Sequence, residues 1–467
     1  MTTATSLFIF RRDLRVQDNT GLNEALKSGQ AVVPLFIVDP GLLQRWQSAD
    51  KRLSFLFRSL AALSDDLERC GGRLLVRVGE PSEVVRAILE EHSVTRVFVN
   101  REYTPLGIRR DERIEKACAE LESRFHIIDD AVLNPPEWVK KGDGGPYTVF
   151  TPYYRRASQL PVAEPAALSD GLWAKLERTP LGGIDEIAPY LPVESLLDED
   201  FAGESHAPLA GSAGAAKGLE RIARLQDYAE QRDVPATGQT SQMSAHLRFG
   251  TCSARQMYLV VKEGLGADHP LIRQLYWRDF YVQIATHFPH VFGHAFRRHF
   301  DAIPWRQNDS DFEKWCAGET GFPIVDAGMR ELSATGFMHN RVRMVVASFL
   351  TKNLQIDWRR GEAWFADQLI DYDPAVNNGN WQWGASTGCD AQPYFRVFNP
   401  WRQQKRFDKD CVYIKRWVPE LDAYPEKAIH KLETEGDFYR PKIVDLRESA
   451  ESIKAHFKSV SARHQAG

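Results

Sequence analysis

Along the first 130 residues, short runs of consecutive apolar positions alternate with stretches where apolar residues recur every three or four positions. The runs at 7–10, 32–38, 74–78, 96–99 and 126–128 predict buried strands, and 52–69, 82–92 and 105–123 predict helices. Strands alternating with helices imply an α/β doubly wound parallel sheet with right-handed crossovers. No glycine fingerprint for a dinucleotide follows the first strand; Arg11-Arg12-Asp13 stands there instead. From about Asn134 to Ser205, prolines such as Pro135, Pro136, Pro161, Pro165, Pro180 and Pro192 interrupt the pattern, so a long connection with few regular elements is expected. Beyond Gly211-Ser212-Ala213-Gly214 the period is helical, most clearly over 219–232, 253–262, 269–287, 320–335, 340–352 and 360–369. Three parts are predicted: an α/β domain over 1–131, an interdomain linker over 132–205 and an all-helical domain over 206–467.

Composition narrows the class. A chain of 467 residues, 43% apolar and 26% charged, is soluble and globular and exceeds one ordinary core. Its net charge of −4 excludes a general polycation, but a local basic patch is what binds phosphate. Six scattered cysteines without a CxxC pair read as reduced thiols of a cytoplasmic protein rather than disulfides or a zinc site. No secretory leader is read at the N-terminus, and no run approaches the roughly 20 apolar residues of a membrane span. A monomer is expected. Of twelve tryptophans, nine lie after residue 270, which asks whether some of those rings stack or carry electrons.

Several constellations fall in the helical half. Tyr228 to Arg232 is followed by Thr240-Ser241-Gln242-Met243-Ser244, where hydroxyls at a helix start cap it and exposed amides also suit a phosphate. Gln274, Trp277 and Tyr281 share a helical face, either a core stripe or a base-sized slot. In residues 338–344, Asn340, Arg343 and Met344 share a face and Arg341 points elsewhere. Two arginines in an apolar helix need partners, and Asp371 or Asp373 is placed to supply one. Asn377-Asn378-Gly379-Asn380-Trp381-Gln382-Trp383 is the least ordinary segment. Asparagine and glycine are expected to break regular structure there, and the amides beside two indoles suit a flat heteroaromatic ligand. Arg297-Arg298-His299, Phe395-Arg396, Trp401-Arg402 and Lys405-Arg406 interleave cations with rings, as both solvated faces and nucleic-acid surfaces do. His287, His290, His294 and His299 stand at irregular intervals with no cysteine or carboxylate at ligand spacing, so no metal is expected.

Trp277-Arg278-Asp279-Phe280, Thr320-Gly321-Phe322-Pro323-Ile324-Val325-Asp326, the 338–344 and 377–383 segments and Ala385-Ser386-Thr387-Gly388 resemble, in that order, the DNA photolyase and cryptochrome family. Arg11-Arg12-Asp13-Leu14-Arg15 and Phe150-Thr151-Pro152 match it too. The likeness covers nearly the whole chain and is most specific from 228 to 408. It implies an N-terminal antenna domain and a helical domain holding bent FAD. Tyr228, Thr240, Ser241, Gln242, Met243 and Ser244 then correspond to phosphate and ribose contacts. Asn340, Arg343, Asp371 and Asp373 correspond to polar residues around the isoalloxazine. Asn377 matches the asparagine facing flavin N5, which favours reduced flavin over a stable neutral radical. Trp381, Trp358 and Trp305 match the tryptophan relay from the surface. Trp277 and Trp383 correspond to the walls of a lesion pocket, with Gln274 and Met344 beside it. Arg232, Arg341, Arg396 and Arg402 fall to the DNA. The implied reaction is light-driven repair of cyclobutane pyrimidine dimers in UV-damaged DNA, by electron transfer from excited reduced FAD to a flipped-out lesion.

Within the family, (6-4) photolyases carry two histidines where Asn340 and Met344 stand, so this pair resembles the cyclobutane dimer enzymes, class I most of all. Those enzymes usually carry glutamate at Gln274, which keeps an N–H donor but has no proton to release. A cryptochrome-type photoreceptor without repair is the alternative; the short stretch after the helical domain leans towards an enzyme. Asn100-Arg101-Glu102-Tyr103-Thr104-Pro105, with Asp39 and Arg52, resembles an 8-hydroxy-deazaflavin antenna pocket more than one for methenyltetrahydrofolate, with FMN as a further alternative.

Overall fold

The computed structural model describes residues 5–46, 49–166, 170–177 and 209–466. Pro180, Pro192 and much of the expected linker lie outside the described residues. In chain order come β1 (Thr5–Phe10), α1 (Thr20–Lys27), β2 (Ala31–Val38), α2 (Pro40–Arg45), α3 (Asp50–Arg69), β3 (Leu75–Val78), α4 (Pro81–Glu91), β4 (Val94–Asn100), α5 (Pro105–Glu120) and β5 (Arg124–Ile128). Then follow α6 (Phe150–Ala157), α7 (Asp170–Trp173), α8 (Gly211–Ile222), α9 (Tyr228–Gln231), α10 (Ser244–Phe249), α11 (Ala254–Leu265) and α12 (Pro270–His287). The remainder is α13 (Asp309–Ala317), α14 (Pro323–Thr335), α15 (Asn340–Ser348), α16 (Trp358–Gln368), α17 (Pro374–Ala385), α18 (Pro400–Phe407), α19 (Val412–Trp417), α20 (Glu426–Lys431) and α21 (Leu446–Ala466).

Contacts divide the chain into two compact units. One is Met1–Tyr147, Thr151–Leu225 and Ser241–Thr286; the other is Thr148–Phe150, Gln226–Thr240 and His287–Gly467. The first is built on a five-stranded parallel sheet in the order β3-β2-β1-β4-β5. Each predicted strand is present, and the fold class is the predicted one. Alternation along β1 sends Leu7 and Ile9 to one face, where Val85 and Ile88 of α4 and Ile114 of α5 pack. Phe8 takes the other face, against α1: a Cβ on Gly21 would come within 2.8 Å of its ring. A buried ionic group ties this sheet to α11. Arg15 and Arg255 donate to the two oxygens of Asp130 at 2.6 and 2.8 Å, and Arg255 reaches Asp18 at 3.0 Å. Burial alone would raise Asp130, but the two guanidinium groups hold it well below the usual carboxylate range.

Three helical expectations change. The predicted helix 219–232 is two, α8 and α9, and the glycines read as its boundary lie inside α8. They are there for close approach: a Cβ on Gly211 would meet Ala62 of α3 at 2.6 Å. The predicted helix 340–352 ends at Ser348 and continues as a π-turn, Phe349–Asn353. The 377–383 segment, expected to be irregular, is the body of α17. Pro374 starts that helix, and Asp373 accepts from the Ala375 and Val376 amides at 3.0 and 3.1 Å. The second unit packs α13 to α19 around Trp315, Phe322, Phe349, Trp358 and Trp381. Among the described residues no helix is long and apolar enough to cross a membrane.

Candidate active site

The amides of α17 explain why it stays helical. Asn378 donates to Val291 O at 2.9 Å and to Glu362 Oε1 at 3.0 Å. Gln382 donates to Asn378 Oδ1 at 3.0 Å and to His294 O at 3.1 Å, and Asn380 to Val376 O at 2.8 Å. With side chains that reach main-chain oxygens outside the helix, Asn378 and Gln382 do not compete for its backbone, whereas Asn380 bonds back to the carbonyl one turn before it. Most of the amide density is therefore structural. Asn377 differs: its Nδ2 donates to the Glu362 main-chain oxygen at 3.2 Å, which fixes the amide and turns Oδ1 away from that bond. Burial pushes Glu362 up to about 7, the Asn378 bond opposing it.

Across from α17, α15 presents Asn340, Arg341, Arg343 and Met344 on its first turns. Asn340 is exposed, and its Nδ2 lies 3.8 Å from Met344 Sδ, as their shared face requires. Arg343 grips Asp371 with both nitrogens, at 3.2 and 2.9 Å. Asp371 is thus the partner of Arg343, and Asp373 is the cap of α17. Arg341 pairs instead with Asp233 at 2.9 Å, its guanidinium 4.4 Å over the Phe407 ring. Asp233 was not legible as its partner, because no spacing links it to α15. Trp381 and Trp358 are buried and Trp305 is half-buried, all packed in or against one apolar cluster. Trp381 meets Phe365 edge-on at 4.9 Å. Trp383 is half-buried in the last turn of α17, and Arg396 and Arg402 are exposed. Arg232 lies over the Tyr228 ring at 5.7 Å.

In the other unit, Gln274 and Trp277 are half-buried on α12, and the Trp277 ring lies 5.6 Å from Tyr281. The next two residues of that motif brace the backbone: Arg278 donates to Ala131 O at 2.6 Å and Asp279 accepts from Leu133 N at 2.8 Å. Ser241 and Gln242 precede α10, with Gln242 at φ 54°. The N-cap Met243 supplies no side-chain bond to the first-turn amides, and its side chain lies in the core against Gly218.

Residues 271–459 match the model of the FAD binding domain of DNA photolyase, and residues 6–168 match that of DNA photolyase. The chain is 38% identical over 448 residues to a deoxyribodipyrimidine photo-lyase of Agrobacterium fabrum, covering 92% of this chain and 90% of that one. The chain belongs to the DNA photolyase family. Among solved structures it resembles an archaeal photolyase from Sulfolobus tokodaii with two FAD molecules, at 40% identity and TM-score 0.86, covering 97% of this chain and all (100%) of that one. It also resembles a bacterial class III photolyase from Agrobacterium tumefaciens, at 34% identity and TM-score 0.88 over 99% and 98% of the two chains.

Photolyase-family membership directs attention to the sheet. A cavity of about 540 Å³ opens beyond the carboxyl ends of β2 and β3, lined by Asp39, Leu42, Arg45, Glu80, Leu106, Arg109 and Arg113 among others. Of the three residues assigned to the antenna pocket, Asp39 lines it. Arg52 is buried beneath Trp46, 5.2 Å from its ring, and Arg101 pairs with Asp129 at 2.7 Å. The histidine series is dispersed: His294 bonds Asp301, and His299 stacks on His464. No group of three or more possible metal ligands occurs among the described residues.

Proposed function

We propose that this chain repairs cyclobutane pyrimidine dimers in UV-damaged DNA under illumination, with FAD as its catalytic cofactor. The observation that carries this reading is the pairing of Asn340 with Met344 at the exposed end of α15, in a family whose (6-4) members need two histidines there. The residues fit FAD. Asn377, pinned through its nitrogen, offers a carbonyl oxygen suited to accept from a ring N–H. The Arg343–Asp371 pair supplies a cation and an anion for the polar edge of an isoalloxazine. Ser241, Gln242 and Ser244, with amides at the start of α10 that no side chain caps, suit phosphate, as do Tyr228 and Thr240. When bound, FAD supplies the light-driven electron that opens the dimer.

The chain's own groups do the rest. Trp277 on α12 and Trp383 on α17 are each half-buried indoles of a kind on which extruded bases stack, and a dimer is cheaper to extrude than an intact pair. Gln274 donates an N–H to a pyrimidine carbonyl and releases no proton. Trp305, half-buried, leads to the buried Trp358 and Trp381, and the three pass electrons inward through one apolar cluster. Arg232, Arg341, Arg396 and Arg402 hold phosphates. The cavity lies beyond the carboxyl ends of sheet strands, where open α/β sheets bind ligands, and its three arginines alternate with Asp39, Glu80 and Glu112; an antenna of the 8-hydroxy-deazaflavin type is the occupant the family resemblance favours. The mass of the pigment released from freshly purified protein tests that choice. Illuminating holoprotein with dimer-containing DNA tests the activity. Dimers are expected to disappear in light only; their persistence under light with fully reduced FAD contradicts it.

A further inference from the structure

One buried carboxyl on α14 has no task in this reading. Glu331 is 5% exposed, and its Oε2 accepts from the Tyr413 hydroxyl at 2.5 Å and from the His339 main-chain N–H at 3.3 Å. His339 is the N-cap of α15, its Nδ1 accepting from the Arg341 amide at 3.2 Å. In the same turn, Met338 O accepts from Arg343 Nε at 2.7 Å. One carboxyl oxygen therefore braces the turn from which Asn340, Arg341, Arg343 and Met344 project. The ionisable groups facing it are Tyr413 and Arg416 from α19 and Arg343 from α15, while His339 reaches it through its main-chain N–H.

A glutamine of the same shape would accept both bonds without burying a charge. Burial pushes Glu331 from its ordinary 4.5 up to about 7, against the Tyr413 and His339 bonds and the Arg343 and Arg416 charges. Between those values the folded chain holds a proton that the unfolded chain has released, so stability falls as pH rises through that window. Above it the carboxylate costs stability. What it adds is strength where it touches: a bond to a charged acceptor is about twice as strong as its neutral counterpart. Its charge also faces Arg343, which holds Asp371 on its other side.

We propose that Glu331 is a positioning residue for repair, whose carboxylate stiffens the turn at 336–339 and steadies Arg343, and so presents the lesion-facing end of α15. This rests on the reading of Asn340 and Met344 given above. The test compares wild-type and Glu331→Gln holoprotein from pH 6 to 8.5, measuring affinity for dimer-containing DNA, repair yield and melting temperature. Dimer affinity of the wild type, divided by that of Glu331→Gln, is expected to rise about fivefold across the range. Glu331→Gln is expected to melt higher than wild type at pH 8, with the gap closing towards about pH 5. That melting order follows from burial of the charge whatever the role of Glu331, so the affinity ratio is the deciding measurement. Tyr413→Phe, which keeps the carboxyl and the ring, should move the midpoint of the wild-type profile to higher pH. A flat ratio, or affinity lost only in step with a lowered melting temperature, overturns the proposal. Asn340→Ala separates the two failures. Weakened dimer binding there with a flat Glu331→Gln ratio overturns the role of Glu331 alone. Unchanged binding in Asn340→Ala overturns the reading of α15 beneath it.

Discussion

Gln274 and Asp130 stand at opposite ends of what a single residue can decide here. Gln274 is half-buried on α12 beside Trp277, with an amide where dimer photolyases usually have an acid. Replacing it with glutamate exchanges an N–H donor for a group that donates only when protonated, so affinity for dimer-containing DNA should change severalfold and become pH-dependent. Equilibrium binding in the dark measures it, and unchanged affinity and quantum yield remove Gln274 from the lesion contact. Asp130 is a matter of stability. Asp130→Asn leaves Arg15 and Arg255 buried with half their compensation, at a cost of about 3 kcal/mol near pH 7 by urea unfolding. Because the folded Asp130 is held below the ordinary range, its contribution is full above the unfolded value near 4 and is lost as pH falls. The difference between the two proteins should therefore shrink in acid. Sequence alone marked Gln274, through its spacing to Trp277. It could not mark Asp130, Glu331 or Glu362, whose partners are 115, 82 and 16 residues away.

At the scale of elements, β1, β2 and β4 were legible because a mostly buried parallel strand is a run of apolar residues, whereas β5, expected to be buried, is a half-buried edge strand. Helix α17 was not. Its asparagines and glycine have low helix propensity, and the helix forms because partners outside it satisfy Asn378 and Gln382, and Asp373 and Pro374 start it. Asp373→Ala should cost about 1 kcal/mol of stability and loosen FAD retention, read by thermal release of the flavin. The neighbouring helix α16 owes its closeness to Gly361, where a Cβ would collide with the Trp381 ring and with Leu350. Gly361→Ala should cost about 1–3 kcal/mol by overpacking and slow photoreduction of the flavin by displacing the ring. Photoreduction at the wild-type rate would detach Trp381 from the relay.

For the whole molecule, a net charge of −4 hid the basic residues that matter to a DNA-repair enzyme. The family resemblance assigns Arg232, Arg341, Arg396 and Arg402 alike to DNA, but Arg341 is tied up in an ion pair with Asp233. If it contacts phosphate, Arg341→Ala should reduce the salt dependence of DNA binding by about one charge. An unchanged slope removes it from the set. Family membership was readable from motif order and the α/β sheet from its apolar runs, whereas the hydrogen bonds that fix Asn377 and brace α15 appear only in three dimensions. We propose that Asn340 and Met344 commit this photolyase-family chain to cyclobutane dimers. Illuminating reduced holoprotein with two otherwise identical oligonucleotides, one carrying a cyclobutane thymine dimer and one a (6-4) photoproduct, decides it. Loss of the cyclobutane lesion in light and not in darkness, with the (6-4) lesion intact, is the predicted result. Repair of the (6-4) lesion, or of neither, contradicts it.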